Sequence, residues 1–498
     1  MRAAEGMAAT LPPDAGGRAT AAMMEAAGAA LAAAVLEKAP EGPVVVLAGP
    51  GGNGGDGWVA ARALQAAGRA VCLAFMGNRQ RLVGDAALMA SLYEGDVKPA
   101  TQGAVAGAAA IVDALFGAGL SRPLAGEAAA VVGAVNEARA RSGAFVIAAD
   151  LPSGLFADLG AAPGPTATAD LTLAFGAKKA CHLLYPARGK CGEVVLMDVG
   201  IAPRAILAQG PRTFENGPAI WGGTFPRLTP SVHKYDRGGV AVAVGPALAT
   251  GAARLAAHGA LRVGAGAVTL LGDAAAAAIC AGQVTSAMVR AIDTPADFGD
   301  FVAADRVRAA VIGPGTDVGE RTRNLCAAAS GAGRVLDADA LTSFAADPEA
   351  LFRLATERDV LTPHAGEFAR VFPDLAEAAV RDKLTATRDA AARAGCVVLL
   401  KGPDTVIAAP DGRAAINANA PADLATAGSG DVLAGFIAGL IAQAMPSFEA
   451  ACAGAWLHGA CGQALGRGLI AEDLPGALPS VFRALFAPSA PQRGGKGR

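Results

Sequence analysis

The segment Gly49-Pro50-Gly51-Gly52-Asn53-Gly54-Gly55-Asp56-Gly57 follows directly on the apolar run Val44-Val45-Val46-Leu47-Ala48. Glycines at this density let the backbone come close to whatever lies above the strand end. The helix that follows turns its unpaired N–H groups toward the same point, which is where parallel α/β sheets hold phosphate. The segment therefore predicts an α/β domain. Residues 19–36 read as a helix before it. Behind it, a helix over Trp58–Ala67 and strands near Val71–Phe75, Ala110–Val112 and Phe145–Ala149 continue the alternation. Gly49, Gly51 and Gly54 satisfy G-x-G-x-x-G, but the second strand closes on Phe75-Met76-Gly77-Asn78, with no acidic residue to receive a ribose. That weakens a plain dehydrogenase reading, and the spacing alone is equally met by a tight structural turn.

A chain of 498 residues is long enough for two cores. The α/β signals thin after Gly200, where Pro203, Pro211, Pro218, Pro226 and Pro230 break the chain into short pieces, and a boundary is expected near residue 215. A second series follows, with Val240–Val244, Ala310-Val311-Ile312, Val397–Leu400 and a helix over Val432–Ala442. Its motifs differ from those of the first half, so residues 1–215 and 216–498 read as two fused enzymes and not as a repeat.

Forty-two Lys and Arg against forty-four Asp and Glu leave a net charge of −2 without a basic stripe, which argues against nucleic acid. The composition is 53% apolar, but alanine supplies much of it, and glycine, proline or charge is expected to interrupt each stretch short of bilayer-spanning length. No membrane partner is expected. The start Met1-Arg2-Ala3-Ala4-Glu5, soon reaching Pro12-Pro13-Asp14, does not read as a secretory signal, which favours the cytoplasm. Eight cysteines without a C-x-x-C pair read as buried small hydrophobes.

Asn53 and Asp56 are not required by a tight turn, and Asp113, Asp150 and Ser153 put further oxygen-bearing side chains at strand ends. Such oxygens suit a hard cation, although Asp113 alone is equally suited to binding backbone amides. With Met24-Glu25-Ala26-Ala27-Gly28, Asp113-Ala114-Leu115-Phe116-Gly117 and Asp150-Leu151-Pro152-Ser153-Gly154, this half resembles the NAD(P)H-hydrate epimerase family. The resemblance implies a Rossmann-like three-layer domain. It implies potassium bound by Asn53, Asp113 and Ser153. Cofactor contacts would come from Gly52, Asn53, Gly54, Gly55 and Asp56 and from Gly117, Ala118, Gly119, Leu120, Ser121, Arg122 and Pro123, with Asp150 serving binding and catalysis. Gly52 stands where the family usually has asparagine, and Ala26 replaces a commonly polar residue. Asp170 and Lys179 also match the family, but read equally as a turn cap and a solvated charge.

Five segments mark the second half: His233-Lys234-Tyr235-Asp236-Arg237-Gly238, Gly313-Pro314-Gly315, Thr362-Pro363-His364-Ala365-Gly366-Glu367, Lys401-Gly402-Pro403-Asp404-Thr405 and Ala427-Gly428-Ser429-Gly430-Asp431. Gly428–Asp431 leads straight into a helix, so its N–H groups suit a transferring phosphoryl group and Asp431 suits a base, though an ordinary N-cap is the simpler role. Together the segments resemble the ADP-dependent NAD(P)H-hydrate dehydratase family over residues 225–490, which implies a ribokinase-like three-layer fold. By that resemblance Lys401, Gly402, Pro403, Asp404, Thr405 and Gly430 bind ADP, and Asp431 is the base. Ala253, Gly315 and His364 contact the hydrated cofactor, and magnesium is admitted beside the nucleotide. The expected ligands are NADH and NADPH hydrates, and a homo-oligomer is allowed. A sugar or vitamin-precursor kinase and a non-catalytic nucleotide sensor remain the competing readings.

Overall fold

The structure, a computed structural model, describes residues 20–304 and 306–487. Met1–Glu5 and Pro12–Asp14, read above against a secretory signal, lie outside the described residues. Two compact units emerge, the first built on residues up to 212 and the second on 213–379 and 384 onward.

The first unit holds a sheet in the order β3-β2-β1-β4-β5-β6-β7, parallel throughout. The strands are β1 (Val44–Ala48), β2 (Val71–Phe75), β3 (Val97–Pro99), β4 (Ala110–Ala114), β5 (Phe145–Ala149), β6 (Leu171–Phe175) and β7 (Glu193–Met197). Helices cover both faces. Val44, Val46 and Ala48 join one apolar cluster with α1 (Thr20–Lys38) and α2 (Gly52–Ala66), while Val45 and Leu47 join another across the sheet. The two-residue period of a strand makes this three-layer arrangement, and burial on both faces explains why β1 reads as an unbroken apolar run. A sheet wound outward in both directions from β1 and β4 opens a crevice above their carboxyl ends.

The helix expected from Trp58 begins six residues earlier, at Gly52. Glycine is a poor helix former, but packing requires it here. A Cβ on Gly54 would lie 1.8 Å from the Gly49 carbonyl oxygen, and one on Gly57 2.9 Å from the Ala114 Cβ. Gly28 plays the same part between α1 and α2, where a Cβ would lie 2.3 Å from that of Val59. One expectation fails: by length and composition α1 could cross a bilayer. In this structure its Met23, Ala27, Leu31 and Val35 are buried, a core-facing stripe.

In the second unit the order is β11-β10-β9-β12-β13-β14-β15-β16-β17-β8. The strands are β8 (Thr213–Glu215), β9 (Gly239–Ala243), β10 (Ala267–Gly272), β11 (Met288–Ala291), β12 (Val307–Ile312), β13 (Gly333–Leu336), β14 (Val360–Leu361), β15 (Val397–Leu400), β16 (Thr405–Ala408) and β17 (Ala414–Asn417). From β11 to β15 neighbours are parallel, and β16 is antiparallel to both its neighbours. Because β8 pairs with β17, the unit begins at Thr213, slightly ahead of residue 216. Helices α3 (Thr250–Val263) and α4 (Ser429–Ala442) pack backbone to backbone. A Cβ on Gly435 would lie 2.1 Å from the Ala256 carbonyl oxygen.

In each sheet, strand exits nearly touch. A Cβ on Gly49 would lie 1.8 Å from the Leu115 carbonyl oxygen, and one on Gly245 1.6 Å from that of Gly315. Gly49→Ala and Gly245→Ala should each cost on the order of 3 kcal/mol, since backbone must move. Gly51→Ala, whose Cβ meets nothing within 4 Å, should stay within about 0.5 kcal/mol. Thermal unfolding of the three variants checks this, and equal losses would refute the close-approach account.

Candidate active sites

At the first crevice, Asp113 lies wholly buried at the end of β4. Its carboxylate accepts from the Ser153 N–H at 2.8 Å, the Ser153 hydroxyl at 2.6 Å and the Leu115 N–H at 3.4 Å. Ser153 Oγ in turn accepts from the Phe116 N–H at 2.9 Å. Asn53 completes the group, with its Oδ1 3.0 Å from where a Gly117 Cβ would stand and its Nδ2 buried without a hydrogen-bond partner among the described residues. Asp113 does bind backbone amides, and burial still pushes its pKa up against those bonds. A hard cation would relieve that cost, so the oxygen donors of Asn53, Asp113 and Ser153 fit potassium in chemical type. Among the described residues no three His, Cys, Asp or Glu side chains cluster around a metal position. Gly52, Ala118, Gly119, Ser121, Arg122 and Pro123 are exposed at the same edge, whereas Gly54, Gly55 and Asp56 are buried in the first turn of α2.

Asp150 leaves β5 in the left-handed region, at φ 64°. Its carboxylate pairs with Lys179 and accepts from the Phe175 N–H at 3.3 Å. The Lys179 side chain is therefore shielded and paired, with 7% of it exposed, and is not a solvated charge. Asp170 is structural: it takes Arg139 at 2.6 Å and the Val146 N–H at 2.9 Å, fixing the start of β5.

In the second unit, α4 begins behind Gly428 at φ 84°. Lys401, just beyond β15, reaches Asp337 at 2.7 Å and Glu367 at 3.9 Å, and its Nζ is 3.3 Å from where a Gly430 Cβ would stand. Burial works against the ammonium, but Asp337, Glu367 and Asp431 outweigh it and raise its pKa. Burial and then Asp337 push Asp431 up to about 7, against the pull of Lys401. A carboxyl poised there at a helix N-terminus can take a hydroxyl proton while the N–H groups receive phosphoryl charge. His458 supports the terminus from behind: its ring lies 3.0 Å from both the hydroxyl and the carbonyl of Ser429, and burial lowers its pKa to about 4.

Other expected residues have mixed positions. His364 caps the helix Ala365–Val371, accepting from the Gly366 N–H at 2.9 Å, and stays exposed beside Glu367. Gly315, at φ 64°, faces Ala249 and Ala252. The Thr405 hydroxyl is occupied within its own turn, bonding Gly402 at 2.9 and 3.1 Å. Pro403 is exposed and Asp404 buried in that turn, while Ala253 is fully buried in the apolar core. The His233–Gly238 segment is not at this site. Gly238 packs on the Ala442 carbonyl, at the other end of α4 and roughly 16 Å from Asp431 along its axis. Sequence reading missed Asp337 altogether and saw Glu367 only as part of a motif.

Two α/β units, each with a polar cluster at its crossover and one with a carboxylate and an ammonium at a helix N-terminus suited to phosphate, define a two-domain enzyme of nucleotides. A family profile described as NAD(P)H-hydrate dehydratase matches residues 240–477, and one described as YjeF-related protein N-terminus matches residues 20–181. The bifunctional NAD(P)H-hydrate repair enzyme Nnr of Thermofilum pendens is 34% identical over 93% of this chain and 92% of its own length. That of Moorella thermoacetica is 34% identical over 89% and 88%. A Bacillus subtilis ADP/ATP-dependent NAD(P)H-hydrate dehydratase co-crystallised with ATP and Mg2+ is 27% identical, covering 54% of this chain and 98% of that one at a TM-score of 0.47. The chain belongs to the family of bifunctional NAD(P)H-hydrate repair enzymes.

The raised pKa of Asp431 has a signed consequence. Its ordinary value is 3.8, so between 3.8 and about 7 the folded chain holds a proton that the unfolded chain has lost, and stability falls as pH rises through that window. Asp431→Asn should therefore raise the melting temperature of the second unit by a few degrees at pH 8, and the gain should fade toward pH 4. Melting curves across this range check it, and a gain independent of pH would refute it.

Proposed function

We propose that the first unit interconverts the R and S hydrates of NADH and NADPH, and that the second dehydrates the S form with ADP, releasing AMP and phosphate. The observation that carries this is Asp431 at the start of α4, beside Lys401 and with its pKa near neutrality. Asp431 takes the proton from the C6 hydroxyl as its oxygen attacks the terminal phosphorus of ADP, and AMP leaves. The ring nitrogen then assists cleavage of the C6–O bond, a neighbouring ring carbon gives up a proton, and phosphate departs with the oxygen. Phosphorylation matters because hydroxide leaves poorly and phosphate leaves well. Lys401 balances phosphate charge, held in place by Asp337 and Glu367. Magnesium accompanying ADP would neutralise further charge. His364 and Gly315 would meet the hydrated cofactor, with Gly402–Thr405 and Gly430 along ADP.

In the first unit Asp150 stabilises positive charge on the ring or moves the proton as the C6 hydroxyl is lost and regained. Potassium held by Asn53, Asp113 and Ser153 would supply a fixed positive charge beside the nucleotide phosphates. Gly117–Pro123 and the Gly52–Asp56 turn would follow the nucleotide backbone. Gly52 removes a side-chain amide, yet its backbone remains exposed to approach phosphate. A cytoplasmic location belongs to the same proposal.

The full chain is tested with resolved hydrates. Asp431→Asn should slow ADP-driven NADH formation by about 100-fold or more and leave R-to-S interconversion without ADP unchanged. Asp150→Asn should do the reverse, slowing only interconversion. Chiral chromatography alongside NADH absorbance separates the two, and a stable phosphorylated product in place of NADH would indicate a kinase.

A further inference from the structure

We propose that the turn from Lys179 to His182 is a positioning clamp that aims Asp150 at the hydrated ring; this rests on the epimerase reading above. Nothing in the sequence motifs pairs these residues, which lie 29 and 32 positions beyond Asp150.

Asp150 sits where few residues with a side chain go, at φ 64°, and such a conformation persists only when its surroundings impose it. Here they hold the backbone on both sides. The Asp150 N–H donates to the Leu173 carbonyl at 2.9 Å, which ties the residue to β6. The Asp150 carbonyl lies 2.9 Å from His182 Nε2. The Lys179 N–H donates to His182 Nδ1 at 3.0 Å, so Nδ1 is the acceptor and Nε2 carries the hydrogen that the Asp150 carbonyl receives. Burial, reinforced by Lys179, lowers the His182 pKa to about 4 and keeps this neutral tautomer in place.

The same turn grips the side chain. Lys179 Nζ bonds Asp150 Oδ1, and its position is set by the Phe175 carbonyl at 3.0 Å. The Phe175 N–H meets the same Oδ1 at 3.3 Å. Both side chains are largely shielded, with 7% of Lys179 and 13% of Asp150 exposed, so the ammonium is held against the carboxylate away from bulk water. One short turn thus fixes both the backbone and the carboxylate of the residue assigned to the chemistry. Orientation of this kind is worth large factors in rate, because misplacing a reacting group by about 1 Å can cost on the order of 100-fold.

The test is a double-mutant cycle in the full chain, following R-to-S interconversion without ADP, with the thermal unfolding transition of the first unit as the check that each variant is folded there. Lys179→Gln should lower kcat by about tenfold or more with KM changed less than about threefold, and Lys179→Arg should recover much of the loss. In an Asp150→Asn background Lys179→Gln should cost less than about twofold, because its effect passes through Asp150. His182→Leu should behave in the same way. His182→Gln, which keeps a donor for the Asp150 carbonyl, should be milder, and it carries the test should Lys179→Gln fail to fold. Equal losses from Lys179→Gln in both backgrounds, or full speed in the Asp150 background and outside it, would overturn the clamp. A wild-type chain no faster than buffer would instead overturn the epimerase reading.

Discussion

The two crossovers, where one strand exit passes almost in contact with the next, are the constraint on which both sites depend. Gly49 against Leu115 and Gly245 against Gly315 leave no room for a single methyl group. That closeness brings the turn after β1 to the turn after β4, and the turn after β9 to the turn after β12. In the first unit it sets Asn53 beside Gly117 and leaves Asp113 and Ser153 sealed beneath. In the second, the Gly313 turn is pressed in the same way onto the Asp337 carbonyl, where a Cβ would lie 1.7 Å away. Polar groups converge at these points because backbone geometry allows no wider spacing, and the chemistry uses a convergence that the fold already requires.

The two sites manage charge differently. In the second unit one ammonium, Lys401, stands among Asp337, Glu367 and Asp431, so the carboxylates compete for it. Burial, with Asp337 beside it, leaves Asp431 able to gain or lose a proton near neutral pH, which suits a base that must be reset in each turnover. In the first unit Asp150 has Lys179 close against it, while Asp113 is buried with hydrogen-bond donors around it. The second site thus suits proton transfer, and the first holds its side chains in set directions.

Much of this was legible because it depends on residue types at strand ends. β1, β2 and β5 lie where their apolar runs predict, with Asp150 just beyond the end of β5 and Asp431 in the first turn of α4. The glycine turn misled only about the start of α2, since helix propensity cannot foresee that Gly54 must pass over the Gly49 carbonyl. Asp337 was hidden for a related reason. It follows β13, whose Gly333-Arg334-Val335-Leu336 does not read as a buried strand, because arginine is seldom buried. Asp359 makes it possible by pairing with Arg334 at 2.5 Å, 25 residues away. The His233–Gly238 segment marks the family without entering the site: Arg237 bonds the Gly264 carbonyl at 2.7 Å and Arg308 bonds the Asp236 carbonyl at 3.1 Å, so the segment ties strand and helix ends together.

The central claim is that one chain carries both halves of a repair, each at its own crossover. A racemic NADH hydrate incubated with the wild-type chain and excess ADP tests it most directly, with NADH, AMP and phosphate followed together against the dehydratase-only rate set by an Asp150→Asn chain. The account predicts equal molar yields of the three products and consumption of both stereoisomers in one continuous phase. A fast phase that stops at half the hydrate and continues only at the rate of spontaneous interconversion in buffer would contradict it.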